Sequence, residues 1–548
     1  MSIPSRGTPV PSSTTRTTRA KKVTGLRYWM LRVLEECDKV SANFGPDPVH
    51  DLRVSLRRCR SLADGLMALD PDPNWKAMKK AGKRLFQRLG ELRDIHVMME
   101  WVGKLSGAPN LAGEEKAPAL NPHESNSVSG VDDPVARALL EILRRREQEQ
   151  QREAQAALEE FDRKQWRHWS KSLPARAARI RLGSALFKHL ALERWTAARE
   201  LHNRALRNRS QVALHSLRIG IKRFRYIVEN FLPVEHKAWS NDLKEMQDLL
   251  GEVHDLDVLW STAVQRRVFP DADSRQRWRQ RILAERFKRI DRYRARMIGP
   301  DSLWQIWRAA LPQGKQIQIL ATRRMKQWAN GLDPDFPHSE RVAGLALQLY
   351  DGMMAWGWQP AVDAASARSS LLAAALLHDV GKSAGEKGHH KASFDMIRAH
   401  GNPLGWSAAE LQRAAIVARF HRGALPTRRH KTVRDLLPDE QKATIQLAGI
   451  LRLANALDSG HDGHIHRIQI ENVRAKTEAN CKKPALQSKP AARLAGNEAL
   501  VIAAEGYHAG SPTARTIAAE RHLLETVLRR PVVIRAMKHT LFAGETRR

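Results

Sequence analysis

The chain has 548 residues, which is enough for roughly two to four domains with buried cores. Its 92 lysine and arginine residues against 59 aspartate and glutamate residues give a formal net charge of +33, which favours an anionic partner. Aromatic residues make up only 6% of the chain, which argues against a single-strand nucleic-acid binder, because such proteins stack bases on aromatic side chains.

The N-terminal segment and the cysteines give expectations about the cellular compartment. Residues 1–22 are rich in Ser, Thr, Pro and basic residues, which predicts a disordered basic tail without a signal peptide. Cys37, Cys59 and Cys481 are far apart and match no zinc or redox spacing, as expected in a reducing compartment. No run approaches the roughly 18 apolar residues that a membrane span needs. We therefore expect a cytoplasmic protein that does not bind membranes.

A basic helical segment that begins with histidine occurs twice. HDLRVSLRRCR starts at His50, and HSLRIGIKRFR starts at His215. In both copies His, Arg, Arg or Lys, and Arg stand at i, i+3, i+7 and i+10, which places them on one stripe of a helix. Like charges on one stripe repel, so helix stability gives no reason for the pattern, whereas a bound polyanion does. The repeat indicates two similar helical units that line one groove.

A second matching segment follows each copy: RLGELRDIHV from Arg88 and LLGEVHDLDV from Leu249. The alternative interpretation is a pair of ordinary amphipathic helices with solvated basic faces, in which His50 and His215 bond Asp94 or Asp255. The repeat argues against this alternative, because a face that is merely solvated could use either sign of charge.

The region from about residue 25 to 296 resembles, on these paired motifs, the CHAD family of conserved histidine α-helical domains. The resemblance implies two pseudo-symmetric helical bundles around a basic groove or pore that binds inorganic polyphosphate. It also implies that the protein associates with polyphosphate granules. We place this domain at residues 23–300, with a flexible loop at 106–133. The binding residues that the resemblance implies are His50, Arg53, Arg57, Arg58, Arg60, His215, Arg218, Lys222, Arg223 and Arg225. Spacing adds Arg84 and Arg88.

From about residue 322 the pattern stays helical, but histidines and aspartates take motif-like positions. In chain order they are His338, His378-Asp379, His389-His390, His421 and the segment from Asn455 to Asp458. Imidazole and carboxylate groups on packed helices can hold one or two divalent metals, which activate water for phosphoester hydrolysis. Short β-prone runs at 467–473, 499–504 and 531–534 predict a small sheet.

These ordered elements resemble the HD superfamily of metal-dependent phosphohydrolases, and within it the C-terminal domain of the exopolyphosphatase/guanosine pentaphosphate phosphatase family. The resemblance implies an all-helical HD domain, placed at residues 320–545, that carries the small β element. The implied ligands of a divalent metal (Mn, Mg, Fe or Ni) are His338, His378, Asp379 and Asp458. A second metal or a phosphate would be bound by His421 together with either His389 or His390, of which we choose His390. Asp379 and Lys382 are the implied catalytic residues.

Two departures from these families limit what the resemblance implies. The late metal ligand of HD enzymes is an aspartate, but Asn455 stands at that position, and a neutral amide is a poor substitute on a hard cation. Asp458 is the candidate replacement, although three residues rotate it by about 300° around a helix. The actin-like ATPase domain in which the exopolyphosphatase family performs its chemistry has no counterpart in this sequence, so that activity is not transferred.

The sequence supports three hypotheses. The first is a polyphosphate-binding protein whose HD-like domain acts on, or senses, a phosphorylated small molecule. The second is an active HD phosphohydrolase of polyphosphate, a nucleotide or an alarmone, to which the basic region recruits substrate. The third is a nucleic-acid-associated protein that contacts phosphates without reading sequence, which ranks last because no nucleic-acid-binding motif is present.

Overall fold

The computed structural model describes residues 25–106, 133–208, 210–471 and 499–537. Within these ranges the protein is mainly helical and has a small three-stranded sheet near the C-terminus, as the predicted fold class requires. The predicted tail at 1–22 and nearly all of the predicted loop at 106–133 lie outside the described residues. Among the described helices, none is both long enough and apolar enough to cross a membrane.

The N-terminal part consists of helices that begin mostly at proline or at a capping side chain, such as Pro46, Pro233 and the cap Ser210. In chain order they are α1 (Leu26–Ala42), α2 (Pro46–Leu66), α3 (Pro73–Ala81), α4 (Lys83–Ser106), α5 (Pro134–Glu159), α6 (Arg163–Ala177), α7 (Ala185–Asn208), α8 (Gln211–Phe231), α9 (Pro233–Gln265), α10 (Ala272–Met297) and α11 (Leu303–Ala309).

The two copies of the repeat occupy equivalent helices. The histidine-led segments lie on α2 and α8, which pack against α1 and α7, and the second segments lie on α4 and α9, which pack against α5 and α10. The copies meet where α2 contacts α8 and α4 contacts α9. At the first contact Gly65 is required, because a Cβ there would overlap the ring of Phe231. The four motif helices therefore surround one concavity.

Shared hydrophobic cores fix this arrangement. One core joins residues of α1, α2 and α6 with residues of α7 and α8, and a second core joins the distal ends of α4, α5, α9 and α10. The first core continues through α11, whose Trp304 and Trp307 are fully buried, to Leu311. Each core thus draws side chains from both copies of the repeat.

The C-terminal part has a separate core. Its elements are α12 (Lys315–Asn330), α13 (Phe336–Ala355), α14 (Ala364–Leu377), a 3₁₀ turn (Val380–Ala384), α15 (His389–His400), α16 (Ala408–Arg419), α17 (Lys431–Arg434), α18 (Pro438–Leu457), β1 (Ile468–Glu471), β2 (Leu500–Ala504), α19 (Pro512–Glu520), α20 (His522–Leu528) and β3 (Val532–Ala536). Strand β2 is central, antiparallel to β1 and parallel to β3, which confirms the predicted small sheet.

Buried polar contacts join the two parts. The guanidinium of Arg324 on α12 lies 2.7 Å from the carboxylate of Glu193 on α7. Glu193 also accepts a hydrogen bond of 2.9 Å from the backbone N–H of Leu404, whose carbonyl lies 2.8 Å from Nε2 of His189. An ion pair and two hydrogen bonds therefore connect the two parts at this junction.

Candidate functional site

The four motif helices α2, α4, α8 and α9 enclose a cavity of about 310 Å³, which we call the basic groove. The first copy contributes Arg53 and Arg57 from α2, and the second contributes Arg218 and Lys222 from α8. These are the i+3 and i+7 positions of both segments. Further lining side chains come from His50, Arg93, Asp94, Gln247, Asp248, Glu252 and Asp255.

Cations without partners distinguish the basic groove from an ordinary charged surface. Among the described residues, the side chains of Arg57, Arg218 and Lys222 make no ion pair and donate no hydrogen bond, and Nε of Arg218 is buried without any partner. Arg53 donates to the carbonyl of Gly90 at 2.9 Å and lies 3.6 Å from Asp94. Arg57, Arg218 and Lys222 are half-buried, and a cation that loses part of its hydration without gaining a partner is costly, so three of them in one cavity favour an anionic ligand.

The electrostatics of the cavity agree with this interpretation. Burial lowers the pKa of Lys222 to about 8, and the positive charges of Arg218, Arg57 and Arg53 add to this effect. Burial raises the pKa of Asp255 to about 6, against the opposing influence of Arg218. A bound polyanion would relieve the repulsion among the cations and stabilise the charged form of Lys222.

The two motif histidines lie at the groove but have different neighbours. Nδ1 of His215 lies 3.2 Å from Nδ1 of His254. Burial and the positive charge of Arg218 lower the pKa of His254 to about 4. The alternative in which His215 bonds Asp255 therefore does not describe this contact. His50 lies near Arg93, which occupies in the first copy the position of His254 in the second. Arg93 and His254 were not among the predicted binding residues, although they occupy equivalent positions in the second segments of the two copies.

The remaining predicted groove residues lie outside the cavity, and most have partners. Arg58 and Arg225 share the carboxylate of Glu229, and Arg60 donates to the carbonyl of Lys79 at 2.7 Å. Arg84 pairs with Glu160, Arg88 pairs with Glu91 and Glu153, and Arg223 is exposed. The structure thus brings His50, Arg53 and Arg57 of the first copy together with Arg218 and Lys222 of the second copy in the lining of the groove. His215 is not part of the lining and contacts His254 instead. The structure does not bring the i+8 and i+10 positions or the two residues added from spacing into the groove.

The C-terminal part gathers His338, His378, Asp379, His389 and His421, which we call the histidine–aspartate cluster. His338 lies in the first turn of α13, His378 and Asp379 follow α14, His389 begins α15, and His421 follows α16. Potential ligand atoms of His338, His378 and Asp379 lie within 4.8 Å of one another, as do those of Asp379, His389 and His421. Asp379 belongs to both groups, and all five residues are buried.

Hydrogen bonds fix the orientation of three rings in the same way. Nδ1 of His378, His389 and His421 lies 2.8, 2.9 and 2.7 Å from the carbonyl oxygen three residues earlier in the chain. A carbonyl can only accept, so each Nδ1 donates, and in the neutral ring Nε2 carries the lone pair. This is the arrangement in which histidine binds metals.

The donor atoms of the cluster fit a divalent metal. Nε2 of His378 and Oδ1 of Asp379 are buried and have no hydrogen-bond partner among the described residues. Oδ1 of Asp379 lies 3.2 Å from Nε2 of His389 and 3.5 Å from Nε2 of His421, so lone pairs face lone pairs. Burial alone would raise the pKa of Asp379, but positive charge on the neighbouring imidazoles and on Lys382 holds that pKa far below its usual range, and a bound cation would act in the same direction where the rings are neutral. A cation satisfies all these atoms together.

A glycine brings the two halves of the cluster into contact. Gly381, two residues after Asp379, would place a Cβ against the carbonyl oxygen of His389, so any side chain there would push the 3₁₀ turn away from α15. The hydroxyl of Ser393 accepts from the N–H of Gly381 at 2.9 Å and donates to the carbonyl of His378 at 2.7 Å. These contacts hold His389 within reach of Asp379.

Asp458 does not lie in the cluster. Its Oδ2 lies 2.7 Å from Nδ1 of His338 and 3.0 Å from Nε of Arg341, whereas Nε2 of His338 lies 3.0 Å from Oδ1 of Asn455. Asp458, which the sequence predicted as a metal ligand, is therefore absent from both groups of potential ligand atoms among the described residues. Asp458 comes three residues after Asn455, a rotation of about 300° around the helix, so its carboxylate lies on the Nδ1 side of the His338 ring and orients the imidazole. The amide oxygen of Asn455 lies next to Nε2.

His390, another predicted ligand, likewise lies outside both groups of potential ligand atoms among the described residues. His389 joins the cluster, whereas the ring of His390 lies 6.1 Å from that of His389, because adjacent helical residues differ by about 100° in direction. His461, which no sequence motif marks, stacks its ring on that of His338 at 3.9 Å, and its Nδ1 lies 2.6 Å from Asp335. It lies in a loop that has no recognisable pattern.

A cavity of about 330 Å³ opens onto the histidine–aspartate cluster. The cluster side chains that reach it are those of His338, Asp379, His389 and His421, and its rim is formed by Lys382, Arg422, Asn455, Ser459, His461, Thr516 and Glu520. Nζ of Lys382 lies 2.6 Å from Oδ2 of Asp379. The cavity therefore combines metal-ligating groups with cations that can bind a phosphate.

Comparisons with known proteins divide the chain in the same way. Residues 30–264 match the family described as CHAD domain, and residues 322–494 match the family described as Ppx/GppA phosphatase, domain III. A comparison with curated proteins gave no match. The solved structures that match include the crystal structure of the CHAD domain from the plant Ricinus communis, with 22% identity over 52% of this chain and 90% of that chain. Its TM-score is 0.31, which is too low to compare individual sites.

Proposed function

We propose that this protein binds inorganic polyphosphate in the basic groove. The observation that carries this proposal is the convergence of Arg57 from one copy with Arg218 and Lys222 from the other, all without partners, on a single cavity. Polyphosphate is a flexible linear anion without bases, which suits guanidinium forks and an ammonium point charge. The match to the CHAD family supports the same ligand class.

We further propose that the C-terminal domain is an HD-like, metal-dependent phosphohydrolase. The buried atoms without partners on His378 and Asp379 favour an intact metal site over an inherited scaffold. His338, His378 and Asp379 would hold one divalent metal, and Asp379, His389 and His421 would hold a second. A bound metal would activate water and polarise a phosphoryl oxygen, while Lys382 and Arg422 position the substrate phosphate.

Nucleic acid is a weaker candidate for the basic groove. The lining of the cavity includes no Phe, Tyr or Trp side chain on which a base could stack. Phosphate-only contacts to nucleic acid would be displaced by excess polyphosphate, since both ligands compete through the same charges.

A single gel experiment tests both proposals. Purified protein is incubated with long-chain polyphosphate, with and without Mn²⁺ or Mg²⁺, and each sample is divided into a native half and a denatured half. The native half reports binding and the denatured half reports chain length. We expect a mobility shift in all samples and metal-dependent shortening if polyphosphate is the substrate of the HD-like site. The absence of a shift would refute the groove assignment.

A further inference from the structure

Two carboxylates lie among the cations of the basic groove at equivalent positions of the repeat. Asp94 follows Glu91-Leu-Arg on α4, and Asp255 follows Glu252-Val-His on α9. Both line the same cavity as Arg53, Arg218 and Lys222. A groove that served only to attract a polyanion would gain nothing from these negative charges, because any ligand phosphate that enters must approach them.

We propose that Asp94 and Asp255 couple binding to proton uptake, so that polyphosphate enters the basic groove together with protons and binds more tightly as the pH falls. This inference rests on the proposed polyphosphate-binding function and specifies its regulation. A proton on each carboxyl removes the repulsion with a phosphate oxygen and supplies a hydrogen-bond donor to it.

The surroundings of each carboxylate define the coupling. Asp255 faces Arg218 and Lys222 from α8, Asp94 from α4 and Glu252 from its own helix. Asp94 lies 3.6 Å from the guanidinium of Arg53 on α2 and also faces Arg218 and Lys222. Arg218 and Lys222 form no ion pair with these carboxylates but attract them from a longer distance, and they are also the groups that the ligand would engage. Once a phosphate chain occupies those cations, the carboxylates lose their compensation.

The titration of these groups has the required sign. Burial raises the pKa of Asp255 to about 6 in the free protein, whereas Asp94 is exposed. A bound polyanion raises the pKa values of both carboxyls, so the complex holds more protons than the free protein. Affinity is therefore highest below about pH 6 and falls as the pH rises from there towards the higher pKa of the bound state.

Other groups at or beside the groove, including Asp248, whose pKa burial raises, also take up protons when a polyanion binds, and they are common to wild type and the Asp255→Asn variant. His50, His215 and His254 have lowered pKa values, about 4 for His254, and they gain charge when a polyanion binds. Lys222, with a pKa of about 8, contributes mainly above pH 7. A comparison at pH 5 and pH 7 thus isolates Asp255 when the wild-type protein is compared with the Asp255→Asn variant.

The test measures equilibrium binding of long-chain sodium polyphosphate, without divalent cations and at fixed ionic strength, at both pH values. We expect Asp255→Asn to bind several-fold more tightly than wild type at pH 7, up to about tenfold, because pH 7 lies about one unit above the pKa of Asp255 in the free protein, and equally at pH 5. Asp94→Asn, whose side chain is 64% exposed, provides a second variant with little risk to folding and the same expected direction.

Asp257→Asn is the matched control. It removes the same charge from the same helix, but Asp257 pairs with Arg286 on α10 at 3.1 Å and does not line the groove. We expect its affinity to stay close to wild type at both pH values. Equal affinities of wild type and both groove variants at pH 7 would overturn the inference while leaving the proposed function intact. Absence of binding by the wild-type protein at both pH values would refute the proposed function itself.

Discussion

Asp458 and Asn455 contact opposite sides of one imidazole, that of His338. Oδ2 of Asp458 lies 2.7 Å from Nδ1, and Oδ1 of Asn455 lies 3.0 Å from Nε2. The carboxylate thus takes the orienting position behind the ring, and the amide takes the position beside the ligating nitrogen. This division explains how a site can keep the His338 orientation that metal binding needs although its late aspartate is displaced.

Replacing Asp458 by Asn should weaken metal binding without removing a ligand. The amide cannot accept from Nδ1 of His338 with the strength of a carboxylate, and it leaves the guanidinium of Arg341 unpaired. Loss of such an orienting carboxylate typically costs about 10- to 100-fold in metal affinity. Metal titration monitored by elemental analysis after dialysis measures the effect. Asp435→Asn, which removes an exposed carboxylate paired with Arg434, is the control that should not change affinity.

Asn455→Asp should tighten metal binding. The new carboxylate would stand 3.0 Å from Nε2 of His338, where a negative oxygen is a better ligand for a hard cation than an amide. We expect higher Mn²⁺ occupancy after dialysis and at least unchanged hydrolysis of a chromogenic phosphodiester. A fall in occupancy would show that the position next to Nε2 does not belong to the metal site.

His389 and His390 offer a matched pair for testing the composition of the cluster. His389→Ala removes an Nε2 that lies 3.2 Å from Oδ1 of Asp379, so the amount of metal bound per chain should fall. His390→Ala removes a neighbouring imidazole outside both ligand groups and should leave the bound metal at the wild-type level. Equal losses in the two variants, measured by elemental analysis, would contradict the assignment of His389.

Arg324→Ala should destabilise the junction between the two parts of the chain. Burial alone would raise the pKa of Glu193, but the charge of Arg324 and the N–H of Leu404 lower it, so the pair stabilises the fold while Glu193 is ionised. Removing one partner of a buried pair costs roughly 3 to 5 kcal/mol. Urea unfolding should show this loss at pH 7 and a smaller loss near pH 4, where Glu193 of the unfolded chain takes up a proton.

The neighbouring residue provides the control for that experiment. Arg323 precedes Arg324 on α12 but makes no ion pair among the described residues, so Arg323→Ala should change the free energy of unfolding by less than about 0.5 kcal/mol. A similar loss in both variants would mean that the Glu193–Arg324 pair is not what stabilises the junction.

The sequence predicts the helical fold well because helix formation depends mainly on residues that are close together in the chain. Apolar periodicity and the twofold repeat locate α2, α4, α8 and α9, and the β-prone runs locate the sheet. The resemblance of the ordered histidine and aspartate motifs to a known family likewise selects His338, His378, Asp379 and His421, which the fold brings together.

What the sequence does not predict depends on distant partners. Arg57 and Arg58 are adjacent and chemically identical, yet only Arg58 meets the carboxylate of Glu229, which comes from the other copy of the repeat. The choice between His389 and His390 depends on where α15 begins, and the role of Asp458 depends on the phase of α18 relative to His338. Such choices need the tertiary packing of helices that are far apart in the chain.

The most direct test of the central claim is polyphosphate affinity after single charge reversals in each copy of the repeat. Arg57→Glu on α2 and Lys222→Glu on α8 each place a negative charge in the basic groove, whereas Arg223→Glu makes the same change at an exposed position beside Lys222. At fixed pH and salt we predict that each groove variant loses at least about tenfold in affinity and that Arg223→Glu stays near wild type. Equal losses in all three variants, or a loss confined to one copy, would contradict a single groove built from both copies.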